Sequence, residues 1–162
     1  AANGYKALTF HGVGNDFPVF DEIQKHVVDK GLAAGAGDQI GTVLYNRGLY
    51  AAMLAAEAAK TAQGIHNTAE ITPAMMRDGM EALEITEAKM GELGLPNFGP
   101  SFSVSCSNHG GDALVGVTQW DAAAGEWSLI SDFKPTDGDI IGPLIEEDSA
   151  AYASENGIEP NC

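Results

Sequence analysis

Residues Thr42 to Gln63, TVLYNRGLYAAMLAAEAAKTAQ, constrain the fold more than any other part of the chain. Val43, Tyr45, Leu49, Tyr50, Met53 and Leu54, with the alanines around them, leave only Asn46, Arg47, Glu57 and Lys60 strongly polar. That pattern predicts a helix buried on most sides, a core element around which other elements must pack. Gly64 is expected to end it. The longest strongly apolar run without a charge, LYAAMLAA from Leu49 to Ala56, is far too short to cross a bilayer, so a soluble protein is expected.

The rest of the chain supplies elements to surround that helix. Tyr5 to His11 reads as a short strand, and Phe17, Phe20, Ile23, Val27 and Val28 recur at helical spacing up to Lys30. A glycine-rich loop follows from Gly31 to Gly41. Thr72 and Pro73 form an N-cap and first turn for a helix that turns Met75, Met76, Met80 and Leu83 inward, and a short helical piece lies near Thr86 to Leu93. Strands are predicted at Ser101 to Ser105, Leu114 to Trp120 and Trp127 to Ile130, the last pair joined by a hairpin loop in which Gly125 takes a positive φ. Asp132 to Asp139, DFKPTDGD, reads as a polar linker, and Pro143 opens a final helix to Asn156 with Leu144, Ile145, Ala151 and Tyr152 on its packing side.

Composition closes off several function classes. The chain has 162 residues, enough for one ordinary core, and a net charge of −15 from 23 acidic and 8 basic residues. Binding to nucleic acid or to an anionic membrane needs a basic patch, so neither is expected. The turn HGVGNDF suggests a phosphate loop but carries only Gly12 and Gly14 of the three glycines required. Phe17 stands in the third position, and Asp16 puts a negative charge where the phosphate would sit. The plain alternative is a strand that turns at two glycines and starts a helix with Pro18 in its first turn.

No catalytic constellation stands out among His11, His26, His66 and His109, and no serine or cysteine sits in a nucleophile elbow. Glu146, Glu147 and Asp148 suit the first turns of the last helix, where acidic charge complements the macrodipole. Trp120 and Trp127 are expected to pack across their hairpin or into the core. Cys106 and His109 offer two metal ligands with no second pair at ligand spacing, so no metal is expected. Cys106 and Cys162, the two cysteines, fit either one disulfide in an oxidising compartment or two unpaired thiols in a reducing one. The start at Ala1 rather than Met reads as an N-terminus processed, cut or cloned.

Taken in order, YKALTFHGVGNDFPVF, VLYNRGLYAAMLAAEAAKTA, MRDGMEALEI, VGVTQWDAAAGEWSLISDF and PLIEEDSAAYASENGI resemble the C-terminal part of periplasmic solute-binding proteins of ABC transporters, of the branched-chain amino-acid (Leu/Ile/Val) type. The resemblance runs over nearly all of the chain. It implies an α/β fold, periplasmic-binding-protein type I-like with a Rossmann-like lobe, present as a C-terminal fragment of a two-lobed protein. Residues 1–131 would hold a strand and hinge followed by the C-terminal part of the first ligand-binding lobe. Residues 132–162 would make a hinge crossing and a C-terminal helix returning to the second lobe. The implied function is capture of a branched-chain amino acid or related small amide by hinge closure, then docking on a membrane permease, with no cofactor, no metal and no covalent chemistry.

By the same resemblance, Tyr45 matches a position where the family places an aromatic side chain beside the ligand, and His11 is a candidate for lining the cleft. A core tyrosine with a satisfied hydroxyl is the alternative for Tyr45. The location implied is periplasmic, and that oxidising compartment suits a Cys106–Cys162 disulfide. Two other classes stay open, a ligand-sensing domain of a receptor or regulator with the same fold and a small α/β enzyme. A lobe without its leading strands would expose a sheet edge, so association into a homo-oligomer by exchange of segments is expected.

Overall fold

The computed structural model describes residues 2–35, 37–112 and 114–159. Strand β1 (Lys6–Thr9) leads through the glycine turn to α1 (Pro18–Ile23), which runs on as one π-helical turn over Gln24–Val28. A short 3-10 turn, Gly37–Gln39, precedes α2 (Val43–His66). Then come α3 (Pro73–Glu81), β2 (Glu84–Ile85), α4 (Glu87–Glu92), β3 (Phe102–Ser103), β4 (Leu114–Asp121), β5 (Glu126–Leu129), β6 (Lys134–Pro135) and α5 (Gly138–Asn156).

Threonine starts each of the helices α2, α3 and α4. Thr42, Thr72 and Thr86 accept the amides of Tyr45, Met75 and Lys89 at 3.4, 3.3 and 3.1 Å, which satisfies donors that a helix N-terminus otherwise leaves open. Gly64, expected to end α2, lies inside it. The stop comes at Asn67, which takes a left-handed φ of 48° as the C-cap.

The burial of α2 is narrower than expected. Asn46, Tyr50, Glu57, Ala58 and Ala62 form one buried strip, while Leu44 is 76% exposed. Tyr50 and Ala58 join Leu83, Ile85, Met90, Leu95 and Phe98 in the core, with Phe17, Met53, Leu54 and Met76 packed against it. On α3 the inward residues are Met76 and Gly79, and Met80 faces out, because successive residues turn about 100° around the helix and the α2 contact follows the line through Met76, Gly79 and Leu83. A β-carbon at Gly79 would stand 2.3 Å from the Ala58 carbonyl and 2.7 Å from the Ala62 β-carbon, so the two helices touch backbone to backbone there.

The chain is mixed α/β, as expected. Strand β4 lies between β1 and β5, with β6 also paired to β4, and β2 and β3 form a separate two-stranded ribbon. Every described pairing is antiparallel. A Rossmann-like lobe of the type I-like kind is built on parallel strands, and none of the described pairings is parallel. The tight turn between β4 and β5 dictates the antiparallel hairpin, and Gly125 turns it at φ +71° as predicted. The expected polar linker Asp132–Asp139 contains β6, which ties it back to Leu114 and Val115.

Helix α5 begins at Gly138 rather than at Pro143, which sits inside it. The proline has no N–H to give to the Asp139 carbonyl, yet its fixed φ is compatible with helix. None of the residues expected to pack, Leu144, Ile145, Ala151 and Tyr152, is buried.

The close approach of α2 and α3 gives a direct test. Gly79→Ala should destabilise the chain by about 1–3 kcal/mol, because the new methyl meets backbone that cannot step aside. The urea midpoint measures it, and Met80→Ala on the exposed flank serves as a control that should shift it far less.

Candidate functional site

The turn that leaves β1 is held by side chains from several elements. Asn46, in the first turn of α2, donates from Nδ2 to the Gly14 carbonyl at 2.9 Å and to the Gly12 carbonyl at 3.3 Å. His11 Nδ1 donates to the same Gly12 carbonyl at 2.8 Å, the Gly12 amide donates to the Phe98 carbonyl, and Thr9 Oγ1 donates to the His11 carbonyl at 2.7 Å. The imidazole stacks on Phe98, with ring centres 5.6 Å apart and planes 12° from parallel. Both His11 and Asn46 are fully buried. Among the described residues, His11 Nε2 and Asn46 Oδ1 find no hydrogen-bond partner, an uncommon state for buried polar atoms.

That environment sets the charge of His11. With Nδ1 donating, Nε2 carries a lone pair, and a proton added there would be buried without an acceptor. Burial is the largest influence and holds the imidazole below its ordinary 6.5. The Gly12 hydrogen bond opposes that effect, and the nearby Arg47 charge adds to it. Burial likewise pushes the Tyr50 hydroxyl up to about 12, so it stays protonated at neutral pH.

Next to this cluster, a groove of about 400 Å³ runs between α2 and the sheet, with Phe10, Tyr50, Ala51, Leu54 and Leu114 among its walls. Arg47 and Asp112 border it, and the Arg47 guanidinium lies 5.2 Å from the centre of the Phe10 ring. Such a groove accepts an apolar group flanked by polar ones. Among the described residues, its lining includes no serine, cysteine or histidine.

The two expected ligand-contacting residues are not brought together. His11 has no exposed surface and is surrounded by Phe10, Tyr50 and Phe98. Tyr45 is half-buried against Phe20, ring centres 6.2 Å apart, and faces a separate hollow of about 320 Å³ between α1 and the glycine-rich loop. Asn46, which the sequence marks only as one of the few strongly polar residues of α2, organises the turn. A lone asparagine at the buried start of an apolar helix needs backbone partners, and that need is the signal that points to it.

The other sequence candidates are engaged elsewhere. Trp120 and Trp127 pair across the hairpin as expected, with ring centres 5.5 Å apart. His26 sits 3.1 Å from Glu22, and His66 sits 3.0 Å from Asp78. Glu81, Cys106 and His109 bring ligand atoms within 4.8 Å of one another, but Cys106 is disulfide-bonded and so does not offer a thiolate. Cys162, its expected partner, lies outside the described residues.

No family model and no curated protein matches the chain. It is similar to a solved crystal structure described as that of an ABC transporter permease from the Pseudomonas fluorescens group, at 34% sequence identity and a TM-score of 0.89. The match covers 99% of this chain and 39% of that one, so the chain spans well under half the length of that protein.

The likeness corrects the expectation drawn from the sequence. It is to a protein described as a permease, not to a solute-binding protein of the branched-chain amino-acid type, so capture of such an amino acid by hinge closure is set aside. A permease as a separate docking partner goes with it. The physical reason lies in the segments that carried the resemblance. A strand with a glycine turn, an apolar helix and a hairpin encode a fold, and one fold serves several functions.

Two outcomes follow from the buried cluster. Asn46→Ala removes the donor to the Gly14 carbonyl and should cost about 1–3 kcal/mol in urea unfolding. Asn46→Asp keeps the shape but sets a carboxylate against carbonyl oxygens, and should cost more.

His11 gives a pH test. Its folded value lies below its unfolded one, so the unfolded chain takes the proton first and stability falls as pH drops through 6.5. His11→Phe should flatten that part of the curve. The lowered Asp78 carboxyl, set chiefly by its hydrogen bond from Arg77, acts in a separate window below its ordinary 3.8.

Proposed function

We propose that the chain works in ABC-type transport, as a portion of a transporter component that lies outside the bilayer. The observation that carries this reading is the likeness at 34% identity and a TM-score of 0.89 to the protein described as an ABC transporter permease. No helix among the described residues is long and apolar enough to cross a membrane. Helix α2 reaches the length of a span at 24 residues but carries Arg47, Glu57 and Lys60.

The chain contributes packing and recognition rather than covalent chemistry. In support, the buried polar side chains serve the fold. Asn46 and His11 hold the glycine turn, and Glu57 receives Lys60 at 2.5 Å and Lys89 at 3.7 Å. We further place this portion on the extracytoplasmic side, a reading that the disulfide at Cys106 supports, since disulfides persist in oxidising compartments.

Affinity purification from cells expressing the natural protein that contains this chain, in mild detergent with chemical cross-linking, tests the reading. An ATP-hydrolysing subunit and membrane-spanning partners should co-purify, with cross-links to lysines of this chain such as Lys6 and Lys134. A protein recovered free of any ATPase, whose deletion leaves cellular uptake unaltered, would sink the transport assignment.

A further inference from the structure

Two apolar faces lie open on this molecule. One is the groove over α2, walled by Phe10, Ala51, Leu54 and Leu114. The other is α5, where Ile140, Ile141, Leu144, Ile145 and Tyr152 are each half or more exposed and no residue is buried. A helix in water draws most of its stability from an apolar face packed on a neighbour, and α5 has that face without the neighbour. Strand β1 adds a third sign of missing cover. It lies at the end of the strand order, and Leu8 in its middle is 71% exposed.

The comparison supplies an occupant. The fold agrees with the longer protein over 99% of this chain, while most of that protein's length has no counterpart here. Surfaces equivalent to these therefore coexist, in that protein, with a large amount of further polypeptide. We propose that the groove over α2 and the apolar side of α5 are seats for polypeptide corresponding to that unmatched remainder, which covers both. The occupant is a folded, apolar-faced protein segment, not a small molecule and not a lipid surface. The inference rests on the likeness and the uncovered faces, and it stands apart from the transport reading.

A graft tests it. The matching portion of the Pseudomonas fluorescens-group protein is replaced by this chain, and hydrogen exchange is followed in the graft and in the isolated chain. In the graft, amides of α5 and of α2 around Ala51 should exchange more slowly by about tenfold or more. Ala51→Glu and Leu144→Glu should abolish that protection in the graft. In the isolated chain both residues are exposed, so the same changes should leave its urea midpoint nearly unmoved.

Equal exchange in graft and isolated chain overturns the proposal. So does an isolated chain that protects the same amides by forming a concentration-dependent homodimer.

Discussion

The buried strip of α2 is the constraint on which the rest of the molecule depends. At its start Asn46 holds the carbonyls of Gly12 and Gly14, which fixes how the chain leaves β1. One turn on, Tyr50 packs against Phe98, ring centres 5.7 Å apart, and Phe98 in turn stacks on His11. Further along, Glu57 draws in Lys89 from α4, and Ala58 and Ala62 are small enough for α3 to approach at Gly79. The strip thereby positions the turn after β1, Phe98, α4 and α3. The strip's narrowness also explains why so much of α2 remains uncovered.

Much of this frame was legible in the sequence because local chemistry specifies it. Threonines 42, 72 and 86 announce helix starts by their side-chain oxygens, and Gly125 announces a hairpin by its tolerance of positive φ. The misses arose where tertiary contact overrode the local pattern. The three methionines of α3 look alike in a periodic plot, and only the fit of Gly79 against α2 decides that Met76 turns in and Met80 turns out. The two-residue strand β2 is too short for alternation to register, whereas β3 falls inside the strand predicted at Ser101 to Ser105, and the π-helical turn after Ile23 shifts the phase that a helical plot assumes.

The candidate site was less legible than the fold. His11 and Tyr45 were singled out, and the structure places them in separate environments, one sealed under Phe98 and one against Phe20. Asn46 carries the geometry between them, and its importance depends on two carbonyls more than thirty positions earlier in the chain. A chain-local reading has no access to such a pair. The same limit applied to function. The order of strand, turn, helix and hairpin carries a resemblance to solute-binding proteins, and the difference between such a protein and one described as a permease is not written in those elements.

The short pairing of β6 with β4 makes the attachment of α5 a weak mechanical link. Lys134 and Pro135 meet Val115 and Leu114, and α5 follows after two further residues. The clip is antiparallel and two residues long, and its proline has no N–H to contribute. A pull on α5 directed away from the sheet loads those pairs one after the other, as a zipper is opened, rather than all together in shear. The helix can thus be displaced at low force while β1, β4 and β5 keep their register, so movement of whatever engages α5 is absorbed at Lys134 and Pro135 before it reaches the core.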